Sequence, residues 1–380
     1  MARIYLDARN ITDRPAGVAR YARALIPALV EAAPHHEFRT IRHRSNLRPI
    51  DVGGAPNFQE IFVDAPIDNA ENFLFGHRTL QAAFARGGAP DLYHSLFHIL
   101  PRSAPAILGK AKLITTVHDF LWLDHPDATQ PTFLKARSIQ AFARLAIPSA
   151  LRLADAVIAI SEPTRRRAAT FTEDEKITTI SHGVGEEFFQ PPALPSGEFA
   201  ELVDPDRPCI VAIGNDKEYK NLSLLIEAFA ALLTEGTPAR LVLIGSCQGL
   251  IDTVAHTGFS EWITLTEHVH DETLRRILGH ARAFVFPSRI EGFGLPILEA
   301  MAMGTPALIA DAEPMRTIAD EAALFFHPDD ARGLTTLLSR LLGDDDLANE
   351  FAAKGRRRAA SFRWPETAAR TLAVYDSLLS

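Results

Sequence analysis

The sequence has 380 residues, a formal net charge of −8 and two cysteines. This length exceeds the size at which one hydrophobic core usually stops growing, so it predicts two domains of roughly 180 residues each. The acidic balance argues against a general nucleic-acid-binding protein, which needs a basic surface. Two cysteines exclude a disulfide framework and a cysteine-ligated metal cluster, and they suit a reducing compartment. The first predicted strand starts close to the N-terminus, and no stretch reaches the roughly 18 uncharged apolar residues of a membrane span, so we expect a cytoplasmic protein.

Short apolar runs alternate with helical patterns along the whole chain, which predicts α/β architecture with parallel sheets and helices on both faces. A strand at Ile4–Ala8 leads through a loop containing Pro15 and Gly17 into a helix from about Val18 to Ala33. Further strands of the first half are predicted near Phe38–Arg42, Gln59–Val63, Asp91–His94, Leu113–Val117, Ala156–Ser161 and Lys176–Ser181.

Polar side chains follow two of these predicted strands. His118 and Asp119 come directly after Leu113–Val117, at the carboxyl edge where open α/β sheets bind ligands. From its position alone, such a histidine is more often structural than functional. His94 and His98 accompany the preceding strand, where we favour ordinary loop residues over side chains that line an acceptor site.

A basic helix is predicted from about Thr132 to Leu153. Its cations are Lys135, Arg137, Arg144 and Arg152, and they lie among apolar residues. We favour a helix that covers the sheet and is interrupted near Pro148. The alternative is an amphipathic helix that lies on an anionic membrane surface.

A change of composition marks the domain boundary. Residues 191–208 contain five prolines, a glycine and a serine among mostly polar residues, which predicts a linker between a first domain at 1–190 and a second at 209–363. Strands of the second domain are predicted at Cys209–Gly214, Leu241–Gly245, Trp262–Thr266, Ala283–Phe286, Ala307–Ala310 and Ala322–Phe326. Its helices are expected up to about Leu233, at Asp271–His280 and from Asp329 to Ala360, and a last helix at Trp364–Leu379.

The most informative stretch follows the strand Ala283–Phe286. Prolines and glycines break the apolar run into a loop that opens a helix at Pro296, and the free amides at such a helix start favour phosphate. Glu291 in the loop and Glu299 in the helix have seven residues between them, so both can face one crevice beyond the strand end. Amides that bind charged groups, beside carboxylates that accept hydrogen bonds from hydroxyls, suit a sugar phosphate. The alternative is that Glu299 only offsets the helix dipole and Glu291 is solvated.

The run Glu291-Gly-Phe-Gly-Leu-Pro-x-x-Glu299-Ala-Met-Ala-x-Gly-Thr-Pro306 resembles the signature of the retaining glycosyltransferases of family 4. It is a long and specific match. The resemblance implies the GT-B fold, with two doubly wound Rossmann-like domains facing across a cleft. It also implies that the helix at 364–380 crosses back to pack on the first domain.

The resemblance assigns roles to the residues of this run. Glu291 would contact hydroxyls of the donor sugar, and Glu299 would bind the nucleotide ribose. The main-chain amides of Phe293, Gly294 and Leu295 would hold the sugar and the diphosphate.

Other segments extend the resemblance over the first domain. Gly17 matches a small residue that lets the backbone approach the donor phosphates, although a glycine at such a turn is often there for turn geometry alone. His118 matches a strand-end histidine that contacts the donor sugar, which makes a functional role the favoured one. Asp119 would orient the imidazole or hold its loop. Residues 182–184 resemble the closing loop of the family's first domain.

In the second domain, Lys220 and Asn221 match the Lys-Asn pair of the family's phosphate loop, so Lys220 would grip the diphosphate as a point charge. Val269 matches the loop whose main chain pairs with the nucleotide base. The sequence departs from many relatives in one respect, because Asn215 and Tyr219 occupy the positions where an arginine is common. Lys217 or a basic residue of the first domain is the candidate replacement.

The resemblance implies a retaining hexosyltransferase, with mannosyl a slightly favoured sugar, that acts in polysaccharide biosynthesis. The expected donor is GDP-mannose or a UDP-sugar, and the expected acceptor is a saccharide or a polyprenyl-linked saccharide. No cofactor and no metal are expected, and peripheral contact with the inner face of the plasma membrane is possible. The alternatives are a nucleotide-sugar epimerase or phosphorylase of the same fold, and a non-catalytic protein that binds nucleotide-sugars.

Overall fold

The computed structural model describes residues 1–11, 17–46, 48–130, 132–195, 199, 204 and 206–380. The chain divides into two compact units, of which the first contains Met1–Gly183 and Arg363–Ser380 and the second contains Val184–Phe362. Residues 184–190 therefore group with the second unit, and Val184 N donates to Phe362 O at 2.9 Å. Much of the predicted linker, namely residues 196–198, 200–203 and 205, lies outside the described residues.

The described part of the first unit contains a sheet of seven parallel strands in the order β3-β2-β1-β4-β5-β6-β7. The strands are β1 (Arg3–Asp7), β2 (Glu37–His43), β3 (Phe58–Val63), β4 (Leu92–Ser95), β5 (Lys112–Val117), β6 (Ala156–Ala159) and β7 (Ile177–Thr179). The helices before residue 184 are α1 (Gly17–Ala32), α2 (Ala70–Phe75), α3 (His77–Gly87), α4 (Ala104–Leu108), α5 (Leu121–Asp124), α6 (Pro126–Thr129), α7 (Phe133–Leu153) and α8 (Glu162–Ala168).

The second unit contains, in its described part, six parallel strands in the order β10-β9-β8-β11-β12-β13. The strands are β8 (Cys209–Ile213), β9 (Arg240–Ile244), β10 (Ile263–Thr266), β11 (Ala283–Phe286), β12 (Ala307–Ala310) and β13 (Leu324–Phe326). Its helices are α9 (Leu222–Thr234), α10 (Ile251–His256), α11 (Asp271–His280), α12 (Leu295–Met303), α13 (Met315–Ala319), α14 (Ala331–Gly343) and α15 (Asp345–Ala359).

The last helix, α16 (Trp364–Leu379), belongs to the first unit and packs along α1, as the sequence predicts. Its side chains bond to the end of the sheet, since Thr367 Oγ1 donates to Ser181 O at 2.9 Å and Arg370 Nη2 donates to Thr179 O at 2.7 Å. Gly183 permits this packing, because a Cβ at that position would lie 2.2 Å from Trp364 N.

The strands of both sheets are apolar because helices cover the sheets on both faces. In β1, Ile4 and Leu6 pack with α1 and α16 on one face, while Tyr5 packs with α3 on the other. Covered on both faces, such strands have continuous apolar runs, which is why every predicted strand is confirmed to within a few residues. The strand predicted at Ala156–Ser161 ends earlier, at Ala159, because the Ser161 side chain caps α8 by accepting from Thr164 N.

The basic helix α7 covers the sheet, as the favoured interpretation holds, but it is not interrupted. It runs unbroken through Pro148 from Phe133 to Leu153, so the predicted break is wrong. A proline removes one helical hydrogen bond and crowds the carbonyl four residues earlier, but the buried neighbours Ile147 and Leu151 hold the helix on the core. No helix in the described part of the chain has the length and apolar character that crossing a membrane requires.

A buried ion pair closes the end of β1. The side chains of Asp7 and Arg9 are fully buried, and Arg9 Nη2 lies 2.6 Å from Asp7 Oδ2. Tyr93 Oη donates to the same carboxylate, and Arg9 Nη1 donates to Asn72 Oδ1 at 2.8 Å. The pair and its partners therefore join three different segments of the first unit.

We predict that Arg9→Met lowers the free energy of unfolding of the first unit by about 3–5 kcal/mol, because it leaves the Asp7 carboxylate buried without a cation. Trp122 and Trp364 belong to the first unit, so urea unfolding followed by tryptophan fluorescence in a Trp262→Phe background reports on that unit alone.

Arg44→Met is the matched control, since Arg44 and Asp64 form an exposed ion pair whose loss should cost less than about 1 kcal/mol. Adding Asp7→Asn to Arg9→Met should restore part of the stability. Equal effects of Arg9→Met and Arg44→Met would show that the buried pair does not support the fold.

Candidate functional site

The strand order of the second sheet reverses between β8 and β11, which are neighbours. Loops after two such strands diverge to opposite faces and leave a crevice where open α/β sheets bind ligands. Here the loop after β8 carries Lys220, and the loop after β11 carries Glu291. Lys220 Nζ lies 2.5 Å from Glu291 Oε1, and the two side chains are only 16% and 14% exposed. The structure thus brings together two predicted site residues that are 71 positions apart in sequence.

Local bonds hold the Lys220 loop in place. Lys217 N donates to Asn215 Oδ1 at 3.0 Å, and a 3-10 turn at Glu218–Lys220 follows. Asn221 then adopts a left-handed conformation with φ of 54° and serves as the N-cap residue of α9. Its Nδ2 donates to Pro328 O at 2.8 Å, so Asn221 ties the Lys220 loop to the segment that follows β13.

The start of α12 lies beside Glu291. The helix begins at Leu295, one residue before the predicted start, with Gly294 as its N-cap at φ 112° and ψ 45°. That conformation favours glycine, and a Cβ at this position would also lie only 3.0 Å from Ile297 Cδ1. Phe293 and Leu295 are both buried, and the predicted contacts of their main-chain amides with a ligand stay predictions.

Glu291 is not solvated, contrary to the alternative interpretation, and Glu299 does not lie at the surface. Glu299 lies in the second turn of α12 and is 2% exposed. Glu291 is held by Lys220. Both carboxylates are therefore built into the second unit.

Val269 is half buried in the loop between β10 and α11. Since β10 is the edge strand beyond β9, this loop lies at the same carboxyl end of the sheet as the Lys220 loop. The main-chain contact of Val269 with a nucleotide base stays a prediction.

Arg289 is a cation of the site that the sequence analysis missed. Its main-chain N donates to Tyr219 O at 2.8 Å, its Nη2 donates to Asn221 Oδ1 at 3.2 Å, and its Nη1 pairs with Asp329. It therefore joins the β11 loop to the Lys220 loop. Its position two residues before Glu291 in the sequence could have indicated it. The sequence analysis looked for a second cation only in the loop after β8 and in the first domain.

In the first unit, Gly17 is the first residue of α1 and is exposed. Among the described residues, a Cβ on Gly17 would meet no atom within 4 Å. The preceding residues 12–16 lie outside the described residues.

His118 follows β5 and is buried. Its Nε2 donates to Leu96 O at 3.0 Å, so Nε2 carries the proton. Burial lowers the pKa of His118 to about 4. The ring is therefore neutral near pH 7, and its Nδ1 has the lone pair that accepts a hydrogen bond from a hydroxyl. Asp119 Oδ1 accepts from Leu121 N at 2.9 Å and so holds the loop, which is one of the two roles predicted for it.

Of the other two histidines, His94 is not the ordinary loop residue that the sequence suggests, whereas His98 lies in the loop after β4. His94 lies within β4 and is fully buried, with Nδ1 2.6 Å from Tyr375 Oη and Nε2 2.8 Å from Thr116 Oγ1. Both nitrogens are occupied, so an acceptor-lining role is also excluded for His94. His98 is buried against the Phe97 ring, and burial lowers its pKa to about 3.

Comparison with known proteins agrees with this geometry. The family profile described as Glycosyltransferase Family 4 matches residues 15–188, and the one described as Glycosyl transferases group 1 matches residues 197–358. The O-antigen chain mannosyltransferase B of Escherichia coli is 31% identical over 171 residues, which are 44% of this chain and 45% of that protein. The chain spans about half the length of the curated relatives it matches.

Solved structures show the same fold. The sucrose-phosphate synthase of Thermosynechococcus elongatus gives a TM-score of 0.78 at 21% identity, over 100% of this chain and 99% of that one. Anabaena Alr3699/HepE in complex with UDP and glucose gives 0.73 at 14% identity, over 99% and 100%. With one family profile on each of two parallel-sheet units, the chain belongs to the glycosyltransferases of the family 4 and group 1 type and has the GT-B fold.

Proposed function

We propose that this protein is a retaining glycosyltransferase that moves a hexosyl residue from a nucleotide-sugar to a saccharide or polyprenyl-linked saccharide in polysaccharide biosynthesis. The observation that carries the proposal is the meeting of Lys220, Glu291 and the α12 start at the strand-order reversal of the second sheet. One cation, one carboxylate and a helix N-terminus are the groups that a sugar attached to a diphosphate requires.

Each group has a role in the proposed reaction. Lys220 and the amides around Gly294 stabilise the negative charge that develops on the departing diphosphate. Glu291 accepts hydrogen bonds from sugar hydroxyls, Glu299 binds the ribose, and the neutral His118 accepts from a hydroxyl through Nδ1. Arg289 supplies a second positive charge beside the Lys220 loop, in place of the arginine that the loop lacks.

In the proposed mechanism the bond between the anomeric carbon and the phosphate oxygen breaks while the acceptor hydroxyl attacks from the same face. The departing phosphate takes the proton of that hydroxyl, and the configuration at the anomeric carbon is retained. Neither glutamate acts as a nucleophile. Glu291 instead stabilises the positive charge that develops on the sugar, which is a transition-state interaction.

For the donor, we propose GDP-mannose or a UDP-sugar. The Escherichia coli relative is named a mannosyltransferase, and the Anabaena structure holds UDP and glucose. Both names describe those proteins, and they suggest which donors to test first with this one.

A thermal-shift screen against GDP-, UDP-, ADP- and dTDP-sugars tests the proposed function. We expect one nucleotide-sugar to stabilise the protein by about 2.7 kcal/mol at a hundredfold excess over its dissociation constant. Lys220→Met should weaken binding of that donor and of its nucleoside diphosphate at least tenfold, because a hydrogen bond to a charged group contributes about 1.5–3 kcal/mol.

Lys354→Met is the matched control. It removes the same charge from α15, where Lys354 pairs with Glu350. It should bind the donor like the wild type. If no nucleotide-sugar stabilises the wild type, or if both lysine variants bind equally well, the proposed donor site is wrong.

We also propose that catalysis needs no metal ion, because Lys220 and the helix-start amides supply the positive charge. Transfer should therefore continue at close to the full rate after divalent ions are removed and EDTA is added. The measurement is turnover with EDTA, compared with turnover after magnesium or manganese is restored. Complete loss that either metal reverses would contradict this part of the mechanism.

Peripheral contact with an anionic membrane is proposed as well, through the outer face of α7. This helix carries four cations and no acidic residue in a chain of net charge −8. Leu134 and Leu145 are 80% and 67% exposed and lie three turns apart, about 16 Å, along one stripe. Arg137 shares its charge with Asp127, at 2.9 Å. An exposed apolar stripe bordered by cations suits the surface of an anionic bilayer.

We predict that changing Lys135, Arg137 and Arg144 together to Gln weakens binding to phosphatidylglycerol-containing vesicles by about 1 kcal/mol per charge. Leu134→Ser with Leu145→Ser should weaken it independently of salt. The control is Arg332, Arg340 and Arg357 to Gln, three exposed cations of α14 and α15. Vesicle co-sedimentation decides the matter, and a wild type that does not bind anionic vesicles leaves α7 as a cover for the sheet only.

A further inference from the structure

The ion pair between Lys220 and Glu291 would affect the binding of the nucleotide-sugar donor differently from that of the nucleoside diphosphate product. The cation that would grip the diphosphate is paired with a carboxylate at 2.5 Å. Both side chains are more than four-fifths buried, so water screens this contact only weakly. The Lys220 ammonium also lies 5.3 Å from the centre of the Tyr219 ring and 5.8 Å from that of Phe286, which favours keeping it there.

An incoming diphosphate must therefore share Lys220 with Glu291, and it brings a second anion toward that carboxylate. An intact donor compensates for this, because its sugar hydroxyls donate hydrogen bonds to Glu291. A free nucleoside diphosphate has no such hydroxyls beside its terminal phosphate. That phosphate also carries additional negative charge near pH 7, because its second ionisation has a pKa of about 6.

Resting on the proposed function, we infer that Glu291 discriminates between donor and product by competing with the diphosphate for Lys220. The donor satisfies the carboxylate and is retained. Once the sugar has been transferred, the carboxylate recovers the ammonium group and disfavours the remaining nucleoside diphosphate. Glu291 thereby promotes product release as well as contacting the sugar.

The test compares affinities for donor and product in the wild type and in Glu291→Gln, by isothermal titration calorimetry without divalent ions. The ligands are UDP, GDP, UDP-glucose and GDP-mannose. Glutamine keeps the size of the side chain but removes its charge, so the nucleoside diphosphate should bind at least about fivefold more tightly, the lower end of typical coupling between groups. The nucleotide-sugar should bind no more tightly than to the wild type, so the ratio of the two dissociation constants shifts toward the product.

Glu350→Gln is the control, because Glu350 lies on α15 and pairs with Lys354 there. The substitution changes the net charge of the protein by the same amount as Glu291→Gln. It should leave both affinities unchanged, and both variants must melt like the wild type. A wild type that binds none of the four ligands contradicts the proposed function itself. A wild type that binds donor and product, with Glu291→Gln binding the nucleoside diphosphate no more tightly, overturns the inference and leaves the proposed function standing.

Discussion

The parallel pairing of β8 with β11 is the constraint on which the candidate site depends. These strands belong to opposite halves of the second unit's sequence, and their pairing starts the outward progression of the sheet in both directions. Because both strands end at the same edge, the loops that follow them meet. Lys220 and Glu291 make contact for that reason, and the buried strands supply the rigid support that loop residues need. Substitutions that shift β8 or β11 would therefore displace Lys220 and Glu291 relative to each other.

Most of the fold could be predicted from the sequence, because parallel strands buried on both faces produce continuous apolar runs. The strands β11 and β12 and the helices α11 and α16 have the predicted bounds. Helices α2 and α4 escape prediction because they have only six and five residues, too few to show an apolar period, and α3 is a helix that the sequence analysis missed. The unbroken course of α7 through Pro148 depends on packing against the sheet, which local propensity does not include.

For the candidate site, the sequence indicates candidate residues but not their contacts with one another. The motif between Glu291 and Pro306 identified the glutamates and the amides, and Lys220 followed from its own loop. That Lys220 and Glu291 bond to each other is a property of the three-dimensional arrangement, because 71 positions separate them. The same holds for Arg289 and for the hydrogen bonds of His94, whose partner Tyr375 is 281 positions away.

The position of α16 has a consequence for how the chain acquires its structure. Tyr375, Trp364 and Ala368 complete the core of the first unit, yet the whole second unit is encoded between them and the rest of that core. During synthesis the second unit can therefore finish folding first, although its sequence begins later. Until α16 is made, the first unit has all its strands but one apolar face of α1 uncovered, a state in which long-range closure is slow and aggregation is a hazard. The order of assembly is thus the reverse of the order of the units in the chain.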